Sequence, residues 1–215
     1  MKMLLILMML TTATWATEND KGHTPKSFKV SGGTAVFADF TEATYFINYD
    51  LNQKKASVKA QIRFETVEAG FPIFDSVTAP SSVELNGASV QAIETKTPNS
   101  ETTLRYVNKL TNAGNHTLTV EVALDTLVEF SESGVKSAFW TSDLSERKFL
   151  ERYLPANFEF DQVKMNFEIK IIGGKSKHTL YTNGNVTESK ENVFSVSYPA
   201  YYTASSIFFH LVPAG

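Results

Sequence analysis

Acid–base and metal chemistry need titratable side chains at set spacings, and the histidines are where such a pattern would first show. They fall at His23, His116, His178 and His210, no two within thirty residues of one another. A zinc helix pairs histidines four apart, as in His-Glu-x-x-His, and a catalytic zinc needs three protein ligands converging on one ion. Neither pattern occurs. Gly-x-Ser-x-Gly, a phosphate loop and Gly-x-Gly-x-x-Gly are equally absent. With no cysteine in the chain, disulfides, thiolate zinc sites, iron–sulfur clusters and a thiol nucleophile are excluded. Acidic residues gather at Glu151, Glu159 and Asp161 around Pro155, and strand alternation would put the last two on one face. Paired carboxylates do acid–base work when held at a fixed gap with separated pKa values. With Arg152 and Lys164 close by in sequence, a surface ion-pair set is the plainer expectation. The expectation is therefore no catalytic residue, no metal ligand and no cofactor of the chain's own.

Aromatic side chains offer binding chemistry instead. The stretch 199–215 has no charge apart from His210, and holds Tyr201, Tyr202, Phe208 and Phe209, with Tyr198 just before it. An apolar patch of a few hundred Å² on a surface marks a docking site, so these four residues are the interface candidates. The competing expectation is core, because 16 Phe and 8 Tyr must be placed somewhere in the fold. His116 and His210 have no visible partner nearby and read as structural histidines. Asn115-His116-Thr117 and Asn185-Val186-Thr187 match the glycosylation sequon and read as turn asparagines.

The elements that must position these residues sit in a chain of 215 residues with 20 basic and 23 acidic side chains. One domain is the expectation at that length. A net charge of −3, with the basic residues scattered, leaves no electrostatic footprint for nucleic acid. Residues 1–16 combine Lys2, the apolar run Leu4 to Leu10 and small residues ending at Ala16, the three parts of a secretory signal peptide. The run falls short of the roughly 20 residues of a membrane span, so no membrane span is expected. Cleavage after Ala16 would place the protein in a periplasm or outside the cell. Residues 17–35 are polar and glycine-bearing and read as a flexible lead-in.

From residue 36 to 215 the pattern is strand after strand. Ala43 to Leu51 is aromatic and β-branched, and Lys55 to Val67 alternates Val58, Ala60, Ile62 and Phe64 with Lys59, Gln61, Arg63 and Glu65. Period 2 over such a length marks a strand with one wet face. Asn52-Gln53-Lys54 makes the two a hairpin, and Asn86-Gly87 predicts another. Thr103 to Val107 and His116 to Leu124 are strands joined through Asn112 to Asn115. Val163 to Ile171 alternates most cleanly of all, followed by turns at Gly173-Gly174 and Asn183-Gly184 and strands near 178–182, 193–198 and 206–212. Ser145 to Leu154 has helical spacing and stops at Pro155. The sum is an all-β domain, a large antiparallel β-sandwich or saddle-shaped sheet with one short helix.

The order of these signals from Tyr45 to Pro213 resembles the N-terminal domain of the M1 (gluzincin, aminopeptidase N-like) zinc metallopeptidases. Thr44-Tyr45-Phe46-Ile47-Asn48-Tyr49-Asp50-Leu51 is similar to that family's opening strand, and Lys59 to Glu65 to its charged second strand. Leu85-Asn86-Gly87 is similar to its Leu-x-Gly hairpin. Arg152-Tyr153-Leu154-Pro155, Phe160-Asp161, Lys164 to Ile171 and Leu180 to Gly184 resemble its Arg, aromatic-Pro corner, alternating strand and Leu-x-Asn-Gly series. Pro199 to Phe209 resembles its final Tyr-and-Phe strand. Phe158-Glu159-Phe160-Asp161-Gln162 stands where the family has Cys-Phe-Asp-Glu-Pro, and no Met-Glu-Asn occurs. The resemblance implies a saddle-shaped β-domain beside a thermolysin-like zinc domain, with zinc expected only in that missing catalytic domain. It also implies a carboxylate or amide near nine residues before the Pro corner that helps bind a substrate's free amine; counting back from Pro155 lands on Glu146. A glutamate in a first helical turn also serves plain dipole compensation.

Two functions follow. In one, the chain is a non-catalytic β-domain that caps the cleft of an aminopeptidase-like zinc protein, its partner being the catalytic domain in cis or in trans. In the other, it is a stand-alone exported β-sandwich that binds a ligand or a protein.

Overall fold

The computed structural model describes residues 25–95, 104–140, 150–157, 162–174 and 176–214. The strands, in chain order, are β1 (Phe28–Val30), β2 (Gly33–Val36), β3 (Asp39–Asp50), β4 (Lys55–Thr66), β5 (Phe71–Asp75), β6 (Ser82–Leu85), β7 (Ala88–Ser89), β8 (Ala92–Thr95) and β9 (Leu104–Val107). They continue as β10 (Gly114–Ala123), β11 (Glu129–Ser131), β12 (Gly134–Trp140), β13 (Lys164–Ile172), β14 (His178–Thr182), β15 (Asn185–Lys190), β16 (Val193–Ser197) and β17 (Phe208–Pro213). The fold is all-β. Three sheets carry it, ordered β15-β16-β13-β3-β4-β10-β6-β7, β1-β2-β5-β9-β8 and β11-β12-β17-β14.

The long alternating strands form the eight-stranded sheet because their period matches the pleat. One register row runs Val196, Phe167, Tyr45, Ala60, Val120, Val83 across six strands, every member buried. The adjacent row on the other face runs Glu168, Phe46, Lys59, Glu121, and there Lys59 pairs with Glu121 at 3.3 Å. A slip of one residue would exchange these faces, so burial fixes the register. Asn86 and Gly87 hold φ of 51° and 77°, as the Asn-Gly turn between β6 and β7 requires.

The four-stranded sheet packs against the apolar face of the large one. Phe209 of β17 lies 6.1 Å from Phe167 of β13 and stacks 4.8 Å from Phe139 of β12. The Tyr49 hydroxyl donates to Ser137 Oγ at 2.9 Å in the same buried layer. Burial raises the Tyr49 and Tyr45 hydroxyl pKa values and pushes that of Tyr198 up to about 12. The five-stranded sheet gives Phe74 and Val107 to this main core and keeps a second apolar cluster of Ala35, Phe71, Ile73 and Tyr106.

Several expectations give way. Residues 28–35, read as part of a flexible lead-in, form β1 and β2, because Ala35 and the partly buried Phe28 and Val30 pack on the second cluster. The sheets are not wholly antiparallel: β13 lies parallel to β3, and β2 parallel to β5. β9 and β10, adjacent in sequence, belong to different sheets, as do β13 and β14. Gly173 and Gly174, with φ of 77° and 76°, turn the chain between those two sheets. The described part of the expected short helix is a single 3₁₀ turn, Leu150–Arg152; residues 145–149 lie outside the described residues.

Lys164 donates to Glu42 at 2.8 Å, and Glu42 also takes Arg63 at 3.0 Å; Glu159, Asp161 and the Glu151 side chain, expected beside it, lie outside the described residues. The hydrogen bond from Lys164 holds the Glu42 carboxyl below the usual carboxylate range, with the positive charges of Lys164 and Arg63 adding to it. The folded chain thus binds this proton less readily than the unfolded chain. Its stabilisation is present above the unfolded pKa and fades as pH falls through the folded one.

Phe167→Ala is expected to cost about 3–5 kcal/mol, since the ring touches Tyr45, Tyr198 and Phe209. Thr44→Ala on the wet face should stay within about 0.5 kcal/mol. Urea unfolding curves measure both. Glu42→Gln should lose less than about 1 kcal/mol at neutral pH and flatten the acid limb of the stability profile.

Candidate functional site at the Pro155 corner

Four independent contacts fix the chain around Pro155. The 3₁₀ turn closes with Tyr153 N–H and Leu154 N–H both donating to the Leu150 carbonyl at 2.9 Å. Ala156 exchanges two backbone bonds with Asp75, at 2.8 and 2.9 Å, which ties the corner to the end of β5. The Tyr45 hydroxyl donates to the Pro155 carbonyl at 2.8 Å from below. The Asn157 side-chain amide donates to the Ala38 carbonyl at 2.7 Å. The last three tie the corner to β5, to β3 and to the Ala38 backbone, so it is held by the rest of the fold as well as by its own turn geometry.

Beside it lies a groove of about 550 Å³, within the size range of small-ligand sites. Val77 and Thr78 form one wall, and Leu127, Val128 and Glu129 the other; Arg152 and Tyr153 close the end. The Val77 wall is held from behind by Arg105, which is buried in β9. Its Nε donates to the Ser76 carbonyl at 2.9 Å and one terminal nitrogen to the Val77 carbonyl at 3.4 Å. Glu94 lies 3.7 Å from the same guanidinium. Val77 itself is 46% exposed and lines the groove. Tyr153 rests 4.6 Å from Phe139, and burial raises its hydroxyl pKa against the opposing pull of Arg152. The groove presents the apolar Val77, Leu127 and Val128 together with the exposed Arg152 and Glu129.

The other predicted residues scatter. Glu146, Glu159, Asp161 and the Glu151 side chain lie outside the described residues. Among the interface candidates, Tyr201 is 68% exposed, whereas Tyr202 and Phe208 are partly buried. Phe209 is wholly buried, and Tyr198 nearly so: both are core, because alternation along β17 turns Phe209 onto Phe139 and Phe167. Among the described residues no three His, Asp or Glu side chains gather as a metal site. The groove walls went unpredicted because Val77 and Thr78 follow β5, which has no alternation to read.

No family model and no curated protein matches the sequence. Solved structures do match. An M1 zinc metallopeptidase from Deinococcus radiodurans aligns with a TM-score of 0.53 at 12% identity, covering 83% of this chain and 42% of that one. Native leukotriene A4 hydrolase from Saccharomyces cerevisiae aligns with a TM-score of 0.59 at 10% identity, covering 82% of this chain and 29% of that one. This is a fold that M1 zinc metallopeptidases carry. The yeast hydrolase in complex with bestatin repeats the match, with a TM-score of 0.54, 13% identity and 82% and 29% coverage. The chain thus spans less than half the length of each, and at such identities the likeness is one of fold. It agrees with the segment order that made the sequence resemble an M1 N-terminal domain.

Tyr45→Phe removes the hydroxyl beneath the corner and leaves the Pro155 carbonyl unpaired. It is expected to cost about 1–2 kcal/mol in urea unfolding. Tyr201→Ala should stay within about 0.5 kcal/mol.

Proposed function

We propose that this chain is the non-catalytic β-domain of an exported M1 aminopeptidase-like metallopeptidase. It caps one side of the active-site cleft and helps to bind the amino end of a peptide. The zinc chemistry belongs to a domain outside these 215 residues, joined in cis or associating in trans. Glu146 is the residue proposed to take the peptide's free amine. The observation that carries the reading is the shared fold, over 81–83% of this chain, with structures about twice its length or longer. Two further features support it. The Pro155 corner is clamped to the core, as a rigid edge of a cleft would be, and a groove of small-ligand size opens beside it. The leader-like residues 1–16 support export to a periplasm or cell exterior.

The test is the native mass in the source cell's extract, read with an antibody to residues 36–213. The expected result is a species well above 23.9 kDa that carries zinc and releases amino acids from peptides. A species of the chain's own mass that captures no zinc protein would overturn the proposal and return the stand-alone binding reading. Amino-terminal sequencing of the same material is expected to begin at Thr17.

A further inference from the structure

We infer, resting on the function proposed above, that the outer face of the four-stranded sheet is the surface on which the zinc-bearing domain sits. The inner side of this sheet is committed to the core, where Val135, Phe139, Phe209 and Leu211 are wholly buried. Alternation turns the residues between them outward. Ala138, His210 and Tyr181 pair in register across β12, β17 and β14, and Val212 pairs with Thr179 beside them. Phe208 shares that side, two residues before His210. Tyr181 is 55% exposed, and Ala138, Phe208, His210 and Val212 are partly exposed. The Tyr181 and His210 rings stand 6.3 Å apart.

The two outer faces of the molecule differ in charge. That of the eight-stranded sheet carries Glu42, Lys59, Arg63, Glu121 and Lys164, matched across strands. On the four-stranded sheet the charges are Glu129 and Lys136, opposite one another at the β11 edge. β17 and β14 contain no Asp, Glu, Lys or Arg. Neutral residues with aromatic rings among them make up the centre of protein–protein contacts, and charged residues are depleted there. Four strands about 4.8 Å apart, with outward residues about 6.8 Å apart, give a face of roughly 300 Å². Apolar surface of that size marks an interface, and it matches the share each side gives to a small interdomain contact.

Position selects the occupant. Glu129 belongs both to this face and to the groove beside Pro155, so the two surfaces are continuous around β11. A domain that closes over the groove to form a cleft there reaches this face with the same body. The chain covers 42% and 29% of two proteins that share its fold, so in each of them a larger body accompanies a domain of this kind.

The experiment is hydroxyl-radical footprinting, read by peptide mass spectrometry, of the native species from the source cell and of the 215-residue chain alone. In a zinc-bearing species well above 23.9 kDa, Tyr181 and Phe208 should take about tenfold less label than in the chain alone. Equal labelling in that species overturns the surface and leaves the proposed function standing. A native species of the chain's own mass overturns the proposed function and this surface with it, so the mass separates the two failures. A zinc-free species of twice that mass with Tyr181 protected gives the face to a second copy, which also overturns the inference. Should the chain alone not hold its fold, Tyr181→Arg in the whole protein decides. The Tm of the zinc-bearing species should then fall by about 2 °C or more; an unchanged Tm overturns the inference.

Discussion

Five aromatic rings carry the mechanical continuity of the molecule. Tyr45 meets Phe167 edge-on at 5.3 Å, Phe167 meets Phe209 at 6.1 Å, Phe209 stacks on Phe139 at 4.8 Å, and Phe139 holds Tyr153 at 4.6 Å. The series starts in the middle of the largest sheet, crosses into the second sheet and ends at the groove. It closes on itself, because the Tyr45 hydroxyl reaches the Pro155 carbonyl two residues beyond Tyr153. Rings packed at such distances contribute beyond their buried area and tolerate little displacement. The corner thus inherits its position from the core of the fold.

That arrangement explains how far the sequence could be read. The strands around Tyr45, Ile62, Val120 and Phe167 declare themselves by alternation, because each has one buried and one wet face. β5 does not: Phe71 to Asp75 is buried at every residue, which erases the period, and Pro72 argues against a strand. Partner choice is equally hidden. Nothing in Leu104 to Val107 says that it joins β5 and β8 while the following strand joins β4. Tyr198 and Phe209 sit in an uncharged stretch that reads equally well as surface or core, and only the second sheet decides between them. Of the groove, the Pro155 corner was legible from its Arg-Tyr-Leu-Pro series. The opposite wall was not, since a buried arginine gripping backbone carbonyls leaves no pattern in the sequence.

The division of labour within the chain is also clear. The wet face of the large sheet is neutralised by cross-strand pairs such as Lys59 with Glu121 and Lys164 with Glu42, which leaves it well solvated. The features that depart from simple β architecture gather at the strand ends: the 3₁₀ turn before Pro155 with its groove, and the turn at Gly173 and Gly174. Loops and corners on a rigid frame are where binding generally resides.

The parallel pair of β3 and β13 sets the order in which the molecule can be assembled. Glu42 and Lys164, neighbours in the finished sheet, are separated by 122 residues of chain. β3, β4 and β10 can pair as soon as they are made, each through a connection shorter than that one. β3 must then wait, with one backbone edge and the Tyr45 side of its core open, until β13 arrives from the last quarter of the sequence. Contacts of such long range slow folding and leave sticky intermediates in the meantime. A newly made chain therefore spends its most vulnerable period as a half-sheet, and whatever shields that edge governs how much of it reaches the native state.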